Sequence, residues 1–147
     1  MAFLQHFLPG PHTLDLAATY ARHRYGFTRD VAGGERIAYG NAMDTAPRWL
    51  GSARWRFESV RGVSDSRPYA WGPYFADASN TARYDGHWLL NWRGAWDVTA
   101  RVRLFARRAN LLDAAYADRA DFAFGGCRYF PGMPRQLYAG VELTLFD

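Results

Sequence analysis

The run His87-Trp88-Leu89-Leu90-Asn91-Trp92-Arg93-Gly94-Ala95-Trp96, with Asp97-Val98-Thr99 and then Arg101-Val102-Arg103-Leu104, reads as two strands joined by a tight connection. Trp88, Leu90, Trp92 and Trp96 alternate with His87, Asn91 and Arg93, and Val102 and Leu104 alternate with Arg101 and Arg103. Successive side chains of a strand point to opposite faces, so such a run puts large apolar residues on one face and arginines on the other. The same period returns in Leu14, Leu16, Ala18 and Tyr20, and in Val141, Leu143 and Leu145. It also runs through Trp49, Gly51, Ala53, Trp55 and Phe57, although Leu50 interrupts the polar set there. The pattern predicts an all-β, antiparallel chain with about six strands, near residues 12–25, 47–57, 61–74, 86–96, 100–110 and 136–146.

The connections alternate in length. Glu58-Ser59-Val60 and Asp97-Val98-Thr99 are short, whereas residues 26–46, 75–85 and 111–135 are long. Short turns on one side and long loops on the other are the layout of an up-and-down outer-membrane barrel, with its apolar face on lipid and its polar face on a wet lumen. Trp49 and Trp55 near opposite ends of one strand, and Trp88 and Trp96 of another, fit two interfacial girdles. On this reading Trp88, Leu90, Trp92, Val102, Leu104, Val141, Leu143 and Leu145 face lipid. Arg93, Arg101, Arg103 and Glu142 face the lumen.

Composition narrows the function. The 147 residues are 49% hydrophobic and suit one domain rather than a disordered chain. A single cysteine, Cys127, excludes an internal disulfide framework and reads as a surface thiol. Apolar runs stay short of the roughly 18 to 20 residues of a membrane helix. All 18 basic residues are arginine and the net charge is +4, but the arginines are interleaved with apolar residues rather than clustered. That argues against nucleic acid as a partner. His6, His12, His23 and His87 are scattered, so no metal site is expected. Ser64-Asp65-Ser66 has no partnered histidine, and Gly33-Gly34 and Gly125-Gly126 open no phosphate cradle, so no enzyme and no cofactor is expected. The opening Met1–Leu8 lacks a basic start and ends at Pro9-Gly10, which is not a secretory leader.

Four stretches, in order, resemble the closing strands of TonB-dependent outer-membrane receptors. They are Asp44-Thr45-Ala46-Pro47-Arg48; Tyr74–Thr81 with Tyr84-Asp85-Gly86-His87-Trp88-Leu89-Leu90-Asn91; Leu104–Asp113 with its Asn110-Leu111-Leu112-Asp113 ending; and Tyr129-Phe130-Pro131-Gly132-Met133-Pro134-Arg135. The resemblance covers roughly residues 12 to 147. Asn110 is expected to bond nearby backbone at a strand end, Gly132 to permit an unusual backbone angle, and Asp85-Gly86 to open a strand. Two features depart from the family pattern. Phe146 falls on the Glu142 and Thr144 face and is followed by Asp147, where the family ends on an outward aromatic. The family also has a signal peptide, a plug domain and 22 strands, so residues 1–147 read as a C-terminal portion of the barrel, open as a fragment, with plug and signal peptide absent.

The resemblance implies uptake of an iron-siderophore or similar scarce nutrient, with outer-membrane lipid around the barrel and TonB reached only through the missing plug. Location in the outer membrane follows if the chain is part of a complete receptor. Ligand contact is expected from the long loops, through Arg29 and Arg36 in the first, Trp71 and Tyr74 leading into the second, and Arg119, Phe122, Arg128 and Tyr129 in the third. Arginine suits anionic chelates and aromatic rings suit catecholate faces. The alternative is a soluble ligand-binding β-barrel of lipocalin size, which needs about eight strands and a polar outside.

Overall fold

A computed structural model describes residues 2–7, 10–31 and 34–145; Phe146 and its expected orientation lie outside them. Its strands are β1 Ala2–Phe7, β2 His12–Tyr20, β3 Arg29–Asp30, β4 Arg36–Ile37, β5 Trp49–Ser59, β6 Gly62–Trp71 and β7 Tyr74–Phe75. They continue with β8 Arg83–Tyr84, β9 His87–Thr99, β10 Val102–Ala109, β11 Ala117–Ala123, β12 Gly126–Pro131 and β13 Gln136–Leu143. Seven form one sheet in the order β1-β2-β5-β6-β9-β10-β13, and every neighbouring pair is antiparallel. The other six make three hairpins, β3–β4, β7–β8 and β11–β12, one within each long connection. With those set aside, each strand pairs with the next along the chain, which is an up-and-down meander.

The six expected strands are all present, and β1 is a seventh. Apolar residues occur in both alternating sets of Ala2–Phe7 (Phe3 and Phe7, Ala2 and Leu4), so no face stands out there in the sequence. The two tight connections are shorter than expected, Val60-Arg61 and Ala100-Arg101. Arg101 therefore belongs to a turn and not to the lumen face. Three long loops, 21–48, 72–86 and 110–135, gather at the opposite end.

Directly opposed residues share a face, so the register sorts the sheet. One face carries Leu14, Leu16, Trp49, Trp55, Trp88, Leu90, Trp92, Trp96, Leu104 and Val141, in the pairs Leu14↔Trp55, Tyr20↔Trp49, Leu104↔Trp96 and Leu104↔Val141. Val102 and Leu143 pair on it as expected, while Leu145 lies beyond β13. The other face carries Asp15, Arg54, Asp65, Arg67, Arg93, Arg103 and Glu142. Trp49 and Trp88 meet at the long-loop end with rings 5.9 Å apart, and Trp96 lies at the turn end opposite Gly62. Trp55, opposite Leu14 and Ser66, is level with Trp92 in mid-strand and not in the girdle expected for it. Eight residues separate Trp88 from Trp96, which at ~3.3 Å per residue spans the apolar band of a membrane strand.

Arg108 corrects the expectation that arginines keep to the lumen. It lies on the apolar face between Trp92 and Leu137, and its Nε is buried without a partner. Trp92 on the same face donates its indole N–H to Ser64 Oγ at 3.0 Å.

Among the described residues no second layer covers either face. The buried apolar residues are Ile37, Ala70, Tyr74, Ala76, Ala78, Ala117 and Ala120, and all but Ala70 lie in the loops. Trp55, Trp88, Trp96, Leu104, Val141 and Leu143 are exposed. A soluble barrel or sandwich of this size buries one face of its sheet; here the largest apolar residues point away from every other element. No helix among the described residues is long and apolar enough to cross a membrane. Strands β2, β5, β6 and β9, with 9, 11, 10 and 13 residues, reach the length of a tilted spanning strand.

The polar face is organised by Asp65, only 1% exposed. Arg54 Nε on β5 and Arg67 Nε on β6 each donate to it at 2.7 Å, and Arg93 Nη2 on β9 at 3.2 Å. Arg54 also lies 3.9 Å from Asp15 on β2, so one ion cluster ties four strands. Pro68, which has no N–H, sits beside it, and the β5–β6 ladder skips Ala53 and Arg54 there while pairing resumes on both sides. Side-chain ion pairs hold the strands where a backbone bond is missing.

Removing Asp65 takes away charge-assisted hydrogen bonds from three guanidiniums that stay 29%, 34% and 56% exposed to water, at a cost of about 1.5–3 kcal/mol. Asp65→Ala is therefore expected to destabilise the sheet by about that much. Glu58→Ala, which removes the partner of Arg56 at the exposed strand end, is expected to cost under about 1 kcal/mol. Urea unfolding in detergent micelles compares the two.

Candidate functional site

The three long loops are joined to one another by backbone and side-chain bonds. Between the first two, Ala78 N–H donates to Glu35 Oε2 at 2.9 Å, and Arg36 N–H to Ser79 Oγ at 2.9 Å. Asn41 Nδ2 donates to the Ala78 carbonyl at 3.0 Å. Asn80, left-handed at φ 62°, accepts the Ala42 N–H at 2.7 Å and donates to the Ala42 carbonyl at 2.8 Å. Asn tolerates that conformation because its short polar side chain bonds nearby backbone.

Asp77 shapes the second loop from inside. Its carboxylate accepts the Thr81 N–H at 2.9 Å, the Ala82 N–H at 2.7 Å and the Thr81 hydroxyl at 2.7 Å. Burial pushes its pKa up, but these donors outweigh burial and hold the carboxyl below its ordinary value.

The second and third loops meet through tyrosines. Tyr74 OH accepts the Ala120 N–H at 2.7 Å, and Tyr84 OH accepts the Ala117 N–H at 3.1 Å while lying 2.8 Å from His87 Nδ1. Burial raises the pKa of both phenols. Asn110, at φ 48°, bonds Ala114 in both directions at 2.9 Å and closes the strand end as expected. Gly132 has a different reason from the one expected: its φ is not left-handed, but a Cβ there would stand 2.1 Å from the Tyr116 ring. Gly86 combines both demands, with φ +83° and the Trp71 carbonyl oxygen 2.0 Å from any Cβ, just before β9 begins.

On this base the expected ligand residues fall into separate groups. Arg119 and Arg128 come together on the β11–β12 hairpin, where they share buried Asp121 at 2.7 and 2.8 Å. Both guanidiniums lie 5.7 Å from the Phe130 ring. Two cations on one carboxylate leave one unit of positive charge at an aromatic surface. Tyr129 is exposed on the opposite side of the hairpin, across from Ala120, and Phe122 is half-buried opposite Cys127.

Arg29 and Arg36 stand on the separate β3–β4 hairpin, both exposed, with Arg36 Nε 3.8 Å from Asp30. Trp71 ends β6 on the polar face, stacked on His87 at 6.0 Å and 8°. Tyr74 is buried and its hydroxyl oxygen accepts the Ala120 N–H, so it packs the loops together, and it also borders a cavity beside Pro73 and Phe75. Among the described residues no group of three or more His, Cys, Asp or Glu converges as a metal site.

Phe124 is more prominent than the sequence alone suggested. With Gly125 it forms the two-residue turn between β11 and β12, at φ 55° and 77°, and it is 99% exposed. Such turns favour Asn or Gly at the first position, and a bulky residue there is strained. Arg128 lies 5.7 Å from its ring.

No protein-family model matches the chain, and no curated protein sequence matches it. Solved structures do. The siderophore receptor PiuA from Acinetobacter baumannii superposes with a TM-score of 0.75 at 14% identity, over 96% of this chain and 20% of that one. The ferric yersiniabactin uptake receptor FyuA from Yersinia pestis gives 0.70 at 17%, over 95% and 22%. The ferric citrate transporter FecA, unliganded, gives 0.68 at 19%, over 90% and 21%. The fold is therefore that of a run of strands from a siderophore-receptor barrel, the barrel that the resemblance to TonB-dependent receptors implies. The chain spans about a fifth of the length of these structures.

In the first loop, Tyr25 OH donates to Asp44 Oδ1, and that bond, with burial second, raises its pKa to about 12. A raised pKa means that stabilisation from the neutral phenol is full below pH 10 and is lost as pH rises from about 10 to about 12. Ultraviolet difference titration is expected to show one tyrosine ionising near pH 12, returning toward its ordinary value in Asp44→Asn.

Proposed function

We propose that this chain forms closing strands of the barrel of a TonB-dependent outer-membrane receptor, and that its long loops contact an iron-siderophore or a similar scarce nutrient. The observation that supports this reading best is the inverted sheet, with exposed tryptophans and leucines on one face and a buried carboxylate among arginines on the other. Polar side chains line the lumen in such barrels and apolar ones meet lipid. The work is binding and transport, not enzymatic chemistry. TonB acts on a plug domain, which is outside this chain.

Within the loops, the β11–β12 hairpin is the favoured ligand contact. It joins residual positive charge from Arg119 and Arg128 to the rings of Phe130 and Phe124, a surface suited to an anionic or catecholate chelate. Tyr129 and Phe122 lie on the reverse side of the same hairpin, Trp71 lies toward the lumen, and Arg29 and Arg36 add charge on the neighbouring loop. The strained, exposed Phe124 is a position where turn stability has yielded to surface chemistry.

Two outcomes decide the reading. The 147-residue chain is expected to aggregate without detergent and to partition into detergent or lipid vesicles, because β1 and β13 each have an unpaired edge and one face is apolar. A soluble, monomeric chain with cooperative unfolding contradicts this and favours the lipocalin-sized alternative. In a receptor containing these strands, Phe124→Asn is expected to leave the hairpin as stable or more so while weakening ligand uptake. Unchanged uptake removes the hairpin from the site.

A further inference from the structure

A second cluster of positive charge lies at the root of the first two long loops. Arg22, His23, Arg24, Arg48 and Arg83 line one cavity of about 110 Å³, together with Pro73 and other loop residues. At roughly 30 Å³ per water this holds three or four waters, or one compact oxyanion such as phosphate or a carboxylate group.

The backbone fixes this geometry. Ala21 N–H donates to the Arg48 carbonyl at 2.9 Å, continuing the β2–β5 register by one pair, and Arg24 bridges to Ala42. Arg83 pairs with Phe75 across β7–β8, and the Phe75 carbonyl accepts the Thr45 N–H at 2.8 Å. Segments separated by up to sixty residues are thereby held around one space.

At Asp65 and Asp121 arginines converge on carboxylates, whereas no Asp or Glu lines this cavity. Among the described residues Arg22, Arg24 and Arg48 have no carboxylate partner, and Arg83 has only Asp85, at 3.4 Å and 90% exposed. All four arginines are open to water. Guanidiniums stay protonated throughout the accessible pH range, so the cavity keeps a positive charge, softened by solvent, that an anion would neutralise. Planar N–H pairs also match the paired oxygens of carboxylate and phosphate.

We propose that this cavity binds an oxyanion group, a carboxylate or a phosphate. The register continues Arg48 on the polar face with Leu50, Arg54 and Arg56, and Arg22 on the opposite set with Tyr20. The cavity therefore stands at the rim of the sheet, where a free molecule and a lipid headgroup both reach, and the test separates the two. The oxyanion chemistry stands on the cavity itself. That the bound group belongs to an imported ligand rests on the receptor reading above.

The test uses the 147-residue chain refolded in neutral detergent micelles and titrated calorimetrically with inorganic phosphate and with citrate. Saturable binding of at least one is expected, weakened at least about tenfold in Arg24→Gln/Arg48→Gln. Arg61→Gln/Arg107→Gln, which removes the same charge elsewhere, is expected to bind as the parent does. Phosphate is also expected to shield Arg22, Arg24 and Arg48 from phenylglyoxal, read by mass spectrometry, while Arg61 reacts freely. Absence of saturable binding, equal loss in both double variants, or no shielding overturns the proposal. Binding confined to micelles doped with phosphatidylglycerol, with the same arginine dependence, assigns the oxyanion to a lipid headgroup, and binding of phosphate or citrate in undoped micelles assigns it to a soluble molecule. Insertion into lipid vesicles is measured separately, so a chain that inserts without binding sinks this site alone, and one that binds without inserting sinks only the receptor reading.

Discussion

One buried carboxylate surrounded by three guanidiniums sets the orientation of this sheet. Asp65 is fully enclosed while Arg54, Arg67 and Arg93 reach it from three adjacent strands, and no apolar layer covers them. Three cations on one anion leave excess charge, which is tolerable beside water and costly beneath hydrocarbon. The face that holds the cluster must therefore be the wet one. Strand pleating then dictates that Trp55, Trp88, Trp96, Leu104 and Leu143 point the other way. Such a face needs a second layer, which on the proposed receptor reading a bilayer supplies.

The loops complete a division of labour. Most of the buried apolar residues of the chain lie there, and the bonds among Glu35, Asn41, Asp77, Asn80, Tyr74 and Tyr84 make the loops an assembled unit at the mouth of the sheet. On the proposed reading the sheet uses lipid and ion pairs in place of a core, while the loops have a small core of their own. Charged groups left over from this packing, on the β11–β12 hairpin and around the Arg48 cavity, are the ones proposed to meet a ligand.

Period two made the faces legible in sequence. The set Trp88, Leu90, Trp92 and Trp96 against Arg93 and Asn91 separates without reference to any neighbour, and the register keeps that set on one face together with Leu104 of β10. Strand β1 escaped because its apolar residues fall in both sets. Arg108 escaped because alternation across Arg107-Arg108 assigns one arginine to each face whatever the solvent. Ion partners were hidden for a different reason: alternation says which face Asp65 occupies, but only the register brings Arg54 and Arg93 to it. The site was less legible still. Tyr74 is as aromatic as Tyr129, and nothing local shows that its hydroxyl is occupied by Ala120. The Arg22, Arg24, Arg48 and Arg83 cavity is assembled from three distant segments and has no sequence signature.

The claim on which all of this rests is the inversion of the two faces, and site-directed spin labelling along β10 and β13 tests it most directly. Single cysteines, in a Cys127→Ser background, would be labelled at positions 103, 104, 141 and 142 of the chain in lipid vesicles. The account predicts that labels at 104 and 141 are relaxed by dissolved oxygen and protected from a water-soluble nickel chelate, while those at 103 and 142 show the reverse. Nickel accessibility highest at 104 and 141, or no alternation at all, would contradict it.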